Sequence, residues 1–230
     1  AYIEATKSID SDHYITSVLK NVIEDSSISD KQLGSLLEIT KGISSDHYLT
    51  QLLKSIMKNR TLNDENMAKI LTLTKDIDSD HYKTNVLKMA LKSKNLSAKA
   101  YVQFLSTVSD IKSDHYISSV ITELLKNNFN KSSLDTVLEI MEENISSDSY
   151  LATLYRKMAS DNRLSERQLI KMMESASSAI NSSSYLSKVL ISFSKQVNRS
   201  SEKVKNVYRK SAKSVNSDTY YGRVMKALNE

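Results

Sequence analysis

Residues 44–54 read SSDHYLTQLLK, and the tetrad SDHY at 45–48 stands again at 11–14, 79–82 and 113–116. A carboxylate, an imidazole and two hydroxyls side by side suggest a catalytic or metal-binding cluster. Copies spaced 34 residues apart suggest instead one structural layer laid down again and again.

The period runs through the whole chain. An aliphatic residue stands five before a tyrosine at Ile9/Tyr14, Ile43/Tyr48, Ile77/Tyr82, Ile111/Tyr116, Ile145/Tyr150, Ile180/Tyr185 and Val215/Tyr220. The tyrosines are separated by four steps of 34 residues and then two of 35. A serine follows the aliphatic residue by two in every unit, from Ser11 to Ser217.

Each unit reads as two helices. After the tyrosine, apolar residues run Tyr48, Leu49, Leu52, Leu53, Ile56, Met57, a helical stripe wide enough to touch two neighbours. This second helix of the pair (helix B) is led into by the tetrad. The first helix (helix A) has start signals at Ser29, Asn63, Ser97, Asn130, Ser165 and Ser200, whose side chains can accept unpaired amide protons. Ser29 with Gln32 and Ser165 with Gln168 have capping-box spacing, and Leu62/Met67 and Leu164/Leu169 have that of a hydrophobic staple. Helix A continues as a narrower stripe, Leu33, Leu36, Leu37, Thr40, Ile43.

From staple residue to the next aliphatic residue there are ten steps in the first three units (Leu33 to Ile43, for example) and eleven afterwards (Leu134 to Ile145). The spacing predicts a single domain over 1–230 with a change of twist or loop shape near 130–145. Residues 1–8 match the end of a helix A, and 215–230 match helix B alone, so the chain reads as a piece of a larger protein. The expected fold is all-α: a right-handed α-solenoid of about six two-helix repeats with a period of 34–35 residues.

Composition agrees. There is no proline and only three glycines in 230 residues, so turns must be made by Ser, Asn and Asp, as between helices. Cysteine is absent, which excludes disulfides and thiolate metal sites. The longest wholly apolar run, about Val189 to Ile191, is far short of the ~20 residues that span a bilayer.

The 34-residue helical hairpin resembles the tetratricopeptide repeat in period, and HEAT-like repeats in architecture. The tetratricopeptide signature departs here, since the chain has no Trp and no Pro. The Ile-x-Ser-Asp-x-Tyr…Val-Leu units more closely resemble poorly characterised helical repeats of bacterial proteins, some attached to membrane-anchored sensor or metallopeptidase-like modules. That resemblance implies a scaffold or ligand-binding arm. It also implies an exported or periplasmic part of a membrane-anchored protein, with the cytoplasm as the alternative.

As chemistry the tetrad fits poorly. All four histidines (His13, His47, His81, His115) lie in it, one per layer, and stacked layers are about 10 Å apart. Zinc needs its ligands at about 2.0–2.3 Å. A catalytic triad draws single residues from distant segments, and later units read SDSY, SSSY and SDTY without histidine. No enzymatic activity, metal or cofactor is expected. The structural reading has Ser capping helix B, or the residue before it doing so, and Asp in the first turn where the dipole favours an anion. Tyr begins the packing stripe, and His lies on the polar side, either solvated or laddered with aspartates of adjacent units.

Helix B carries a basic row, Lys20, Lys54, Lys88, Thr122, Arg156, Ile191 and Lys226, and four residues on the same face carries Glu24, Lys58, Lys92, Lys126, Ser160, Lys195 and Glu230. It reads either as a solvated face or as a groove for an acidic protein segment, an anionic polymer or nucleic acid. Residues 1–155 hold 17 Lys+Arg against 21 Asp+Glu, and residues 156–230 hold 15 against 6, a polarity suited to an acidic partner or a headgroup surface near the C-terminal end. Nucleic acid ranks below protein because the tyrosines fall on packing positions rather than between the basic ones. The expected function is therefore a non-enzymatic, monomeric scaffold for a protein or peptide partner, an acidic one included. The expected contacts are His13, His47, His81 and His115 with Lys54, Lys88, Lys92, Lys126 and Arg156. A polyanion-binding array and a structural spacer are the alternatives.

Overall fold

A computed structural model describes residues 9–24, 28–93, 96–127, 129–161 and 164–229. The expected helix end at 1–8 lies outside them. Among the described residues there are thirteen α-helices and no strands. The chain divides into two compact units, residues 1–112 and 113–230.

In the first unit the helices are α1 (Asp12–Glu24), α2 (Asp30–Ile39), α3 (Asp46–Asn59), α4 (Asp64–Lys75), α5 (Asp80–Ala90) and α6 (Ala98–Val108), with a 3-10 turn at Thr40–Gly42. The tetrad helices stack α1 on α3 and α3 on α5, while α2 packs on α4 and α4 on α6. This two-layer array is what the stripes demand. Leu52, Leu53 and Ile56 of α3 and Leu33 and Leu37 of α2 are wholly buried. Burying each such side chain is worth about 1.5–3 kcal/mol.

The second unit repeats the plan with α7 (Asp114–Asn127), α8 (Leu134–Asn144), α9 (Asp148–Ala159), α10 (Glu166–Ala179), α11 (Ser183–Val197), α12 (Glu202–Ala212) and α13 (Asp218–Ala227). Here α7, α9, α11 and α13 form one layer and α8, α10 and α12 the other. Two buried tyrosines of this unit keep their hydroxyls bonded. Tyr155 lies 2.6 Å from the Ser175 hydroxyl, which donates to Glu142, and Tyr208 donates to the Val224 carbonyl at 3.1 Å.

The helix starts follow the sequence signals with two differences. Ser29 and Ser165 form complete capping boxes, and the side chains of Asn63 and Ser97 accept from the Asn66 and Ala100 amides. Asn130 instead caps a 3-10 turn, Lys131–Ser133, that leads into α8. In the sixth unit the cap position is Ser201, not Ser200. This one-residue shift keeps 14 residues from cap to aliphatic residue, as between Ser29 and Ile43.

The longer spacing of the fourth and fifth units is absorbed at the end of helix A. Ile43, Ile77 and Ile111 close their helices with amide bonds to the third residue back, whereas Ile145 and Ile180 bond to the fourth. One more residue of α-helix takes up the insertion. The repeat tyrosines stand at the edge of the buried stripe. Tyr48, Tyr82, Tyr116 and Tyr150 are half-buried and Tyr14 is 65% exposed, while the next residue in each case is buried or, at Ile15, 6% exposed.

Candidate functional site

The tetrad divides its labour by residue. Ser45, Ser79, Ser147 and Ser182 occupy the cap positions of their helices with extended backbone, but their hydroxyls make no capping bond. The acceptor comes from the layer before. Asp12 receives the Ser45 amide at 2.7 Å and both the amide and hydroxyl of Ser44. Asp46 receives the Ser79 and Asp78 amides at 2.7 and 3.1 Å, and Asp80 receives the Lys112 amide at 3.2 Å. In the second unit Asp114 holds Ser146 and Ser147, and Asp148 holds Asn181 and Ser182. Asp12, Asp46, Asp114 and Asp148 thus each sit in the first turn of their own helix and at the start of the next, where two helix dipoles favour an anion. The forward reach of these aspartates across a layer has no counterpart in the sequence reading, which kept them within their own helix. Its signal is the recurrence of Asp itself one residue after the cap.

Where Asp becomes Ser183 the latch is missing. Among the described residues, Ser183 makes no bond to Asn216 or Ser217, and the Ser217 φ is −150° against −83° to −73° at Ser45, Ser79, Ser147 and Ser182. The other layer has latches of its own. The Glu166 carboxylate takes the Ser201 amide and hydroxyl at 2.6 and 2.7 Å, which holds its pKa below the ordinary value. Asp30 takes the Asn63 side-chain amide at 3.0 Å.

The histidines are exposed, and His13, His47 and His115 each lie edge-on between two tyrosines. His13 sits 5.2 Å from the Tyr14 ring and 5.6 Å from Tyr48, and His47 sits 5.3 Å from Tyr48 and 5.8 Å from Tyr82. His81 meets Tyr82 at 5.3 Å and Asn85 at 3.2 Å. In the second unit His115 lies 5.1 Å from Tyr116 and 6.1 Å from Tyr150, with its Nδ1 3.3 Å from the Tyr150 hydroxyl. Such T-shaped contacts stabilise by about 0.5–1.5 kcal/mol each when buried, and by less on an open surface. Among the described residues, no group of three or more His, Cys, Asp or Glu is placed to hold a metal ion.

Around His47 the row opens into a groove of about 550 Å³ on α1, α3 and α5. Lys20, Lys54 and Lys58 line it together with Gln51 and Tyr82, and no carboxylate is among its described lining residues. A bond chain orders one wall. Lys20 donates to Gln51 Oε1 at 2.7 Å, which turns the Gln51 amide nitrogen toward His47 Nε2 at 2.6 Å. With Nε2 accepting, the His47 proton is on Nδ1, 3.3 Å from the Tyr82 hydroxyl.

The structure gathers only part of the expected contact set. His47 and Lys54 share the groove, joined by Lys20 and Lys58, which the sequence reading placed in the basic row but not among the contacts. Lys88 and Lys92 of the same unit are outside its lining. In the second unit Lys126 is exposed and 3.5 Å from Glu123, and Arg156 is exposed on α9.

A second groove, about 900 Å³, lies on α2, α4 and α6, with Val102 69% exposed on it. Three lysines, Lys41, Lys69 and Lys99, share its lining with three carboxylates, Glu38, Asp64 and Glu65; Lys41 lies 2.6 Å from Glu38 and Lys69 3.3 Å from Glu65. The hydrogen bond to Lys41 holds the Glu38 pKa down, and that from Glu38 raises Lys41.

No protein-family model and no curated protein matches the sequence. Among solved structures, the chain is similar to a de novo designed 16-helix transmembrane nanopore, at 10% identity and a TM-score of 0.18, over 99% of this chain and 63% of that one. It is similar also to a computationally designed self-assembling cyclic homo-oligomer, at 9% identity and a TM-score of 0.18, over 99% and 86%. At those scores neither likeness bears on function. No helix among the described residues is long and apolar enough to cross a membrane.

Proposed function

We propose that the chain is a non-enzymatic helical-repeat scaffold that holds a protein or peptide partner on the outer surface of its tetrad-bearing helices. One observation carries this reading. The repeated aspartates act in joining layers, while the same turns leave a histidine and its neighbouring polar side chains facing outward in successive layers. Repetition of identical turns suits a surface that meets an extended partner at several points. It is ill suited to catalysis, which needs one constellation of unlike residues. The likeness to bacterial tetratricopeptide- and HEAT-like arms belongs to the same reading, as does a place beside a membrane-anchored module.

The test is selection from a peptide-display library on the immobilised chain. The expected result is an enriched sequence whose binding is weakened by His47→Ala with Lys54→Ala and retained in Lys41→Ala with Lys69→Ala. Enrichment of no sequence, or binding indifferent to the first pair, would overturn the proposal and leave a spacer role.

A further inference from the structure

We infer that the groove on α1, α3 and α5 takes a short acidic peptide segment, its carboxylates meeting Lys20, Lys54 and Lys58. This rests on the scaffold reading and names the chemistry of the partner at one place on that surface.

These two grooves differ in one respect that bears on ligands. On α2, α4 and α6 the lining sets three carboxylates, Glu38, Asp64 and Glu65, against three lysines, Lys41, Lys69 and Lys99, and two of these lysines are in ion pairs. On α1, α3 and α5 the described lining residues include three lysines and no acid, and Lys54 and Lys58 make no ion pair or hydrogen bond among the described residues. Lys54 and Lys58 are also four apart on one helix, where like charges repel by about 0.2–0.5 kcal/mol. The protein alone gains nothing from that arrangement. An anion seated between the two ammonium groups removes the repulsion and supplies the missing counter-charge.

Size and aromatic geometry favour a peptide over nucleic acid. A cleft of about 550 Å³ is in the range of small-ligand sites, ~300–1,000 Å³, and matches a few residues rather than a duplex. Single-stranded nucleic acid needs open aromatic faces on which bases stack. The Tyr82 ring is half-buried, with His47 and His81 packed against it at 5.8 and 5.3 Å. The ordered chain from Lys20 through Gln51 and His47 to Tyr82 offers instead a pre-set wall for a peptide backbone and its carboxylates.

The experiment is fluorescence anisotropy on the whole chain with a labelled hexaglutamate peptide, a hexaglutamine peptide of the same length, and a labelled oligothymidylate. The acidic peptide is expected to bind, the glutamine peptide not, and Lys54→Gln with Lys58→Gln to weaken binding about tenfold or more, the loss of one charge-assisted contact or more. Lys41→Gln with Lys69→Gln is expected to change affinity less than about twofold, since exposed pairs contribute little. Equal binding of both peptides, indifference to the Lys54/Lys58 pair, or tighter binding of the oligothymidylate through those lysines would each overturn the inference. If display selection yields a non-acidic sequence that requires His47 but not Lys54 and Lys58, the scaffold stands and this inference alone falls. If neither selection nor hexaglutamate gives binding, both fall.

Discussion

Asp46→Ala tests the layer-to-layer latch directly. The carboxylate accepts from Ser79 at 2.7 Å and Asp78 at 3.1 Å, and lies at the N-terminus of α5. A well-formed bond to a charged acceptor is worth about 1.5 kcal/mol at the lower end, suited to a half-exposed group. The longer bond and the dipole together add about 0.5–1 kcal/mol. The expected loss is therefore ~2 kcal/mol, which at an m-value of about 2 kcal/mol/M lowers the urea midpoint by ~1 M. Asp46→Asn, which keeps an acceptor and loses the charge, should cost about half as much. Hydrogen exchange supplies a local readout, since the Asp78 and Ser79 amides should exchange faster in the alanine variant than in the wild type. The converse change is Ser183→Asp, expected to add up to about 1 kcal/mol and to protect the Ser217 amide. A stability change under ~0.3 kcal/mol in Asp46→Ala, with unaltered exchange at Asp78 and Ser79, would refute the latch.

Three further outcomes follow from single positions. Lys83 is only 5% exposed at a repeat position held elsewhere by Ile15, Leu49, Ile117, Leu151, Leu186 and Tyr221, so Lys83→Leu should stabilise by about 1 kcal/mol in urea unfolding, and destabilisation would show that the ammonium is partnered. The buried Thr50 hydroxyl has no hydrogen-bond partner among the described residues, so Thr50→Val should leave stability unchanged or raise it by up to about 1 kcal/mol, and a loss beyond ~1 kcal/mol would show that the hydroxyl is bonded in solution. Burial raises the Tyr155 and Tyr208 phenols above the ordinary 10.0. The unfolded chain therefore releases those protons first, so their contribution is intact below pH ~10 and falls as pH rises beyond it. Urea midpoints measured across that range should fall less steeply in Tyr155→Phe, and an unchanged slope would contradict the assignment.

Much of the fold is legible along the chain because it is local. The residues of a helical hairpin meet others a few positions away or one period away, so stripe, cap and period together fix which faces are buried. Ser29/Gln32 and Ser165/Gln168 are readable for the same reason: the capping box is closed within four residues. Asn130 and Ser200 show the limit. A cap-forming residue announces a helix start, but whether a 3-10 turn intervenes or the next serine takes the position depends on packing after the start.

The candidate site was less legible. Lys54 and His47 belong to rows that the period exposes, yet Lys20 joins their groove only because the helices stack with Gln51 beside it. Lys88 and Lys92, in the same rows, lie outside it. A linear pattern places residues on a face; it does not state which neighbouring carboxylates neutralise them, as Glu38 does for Lys41.

The sequence by itself determined that SSDHYLTQLLK is one turn of a repeating helical array, since identical spacing imposes identical layers. Only the tertiary structure decided what Asp46 and His47 do in that turn. Asp46 bonds to amides 32 and 33 residues ahead, and His47 packs between tyrosines of two layers. Those partners adjoin only after stacking, because hydrogen bonds and ring contacts depend on separations of a few ångströms in space, which distance along the chain does not encode.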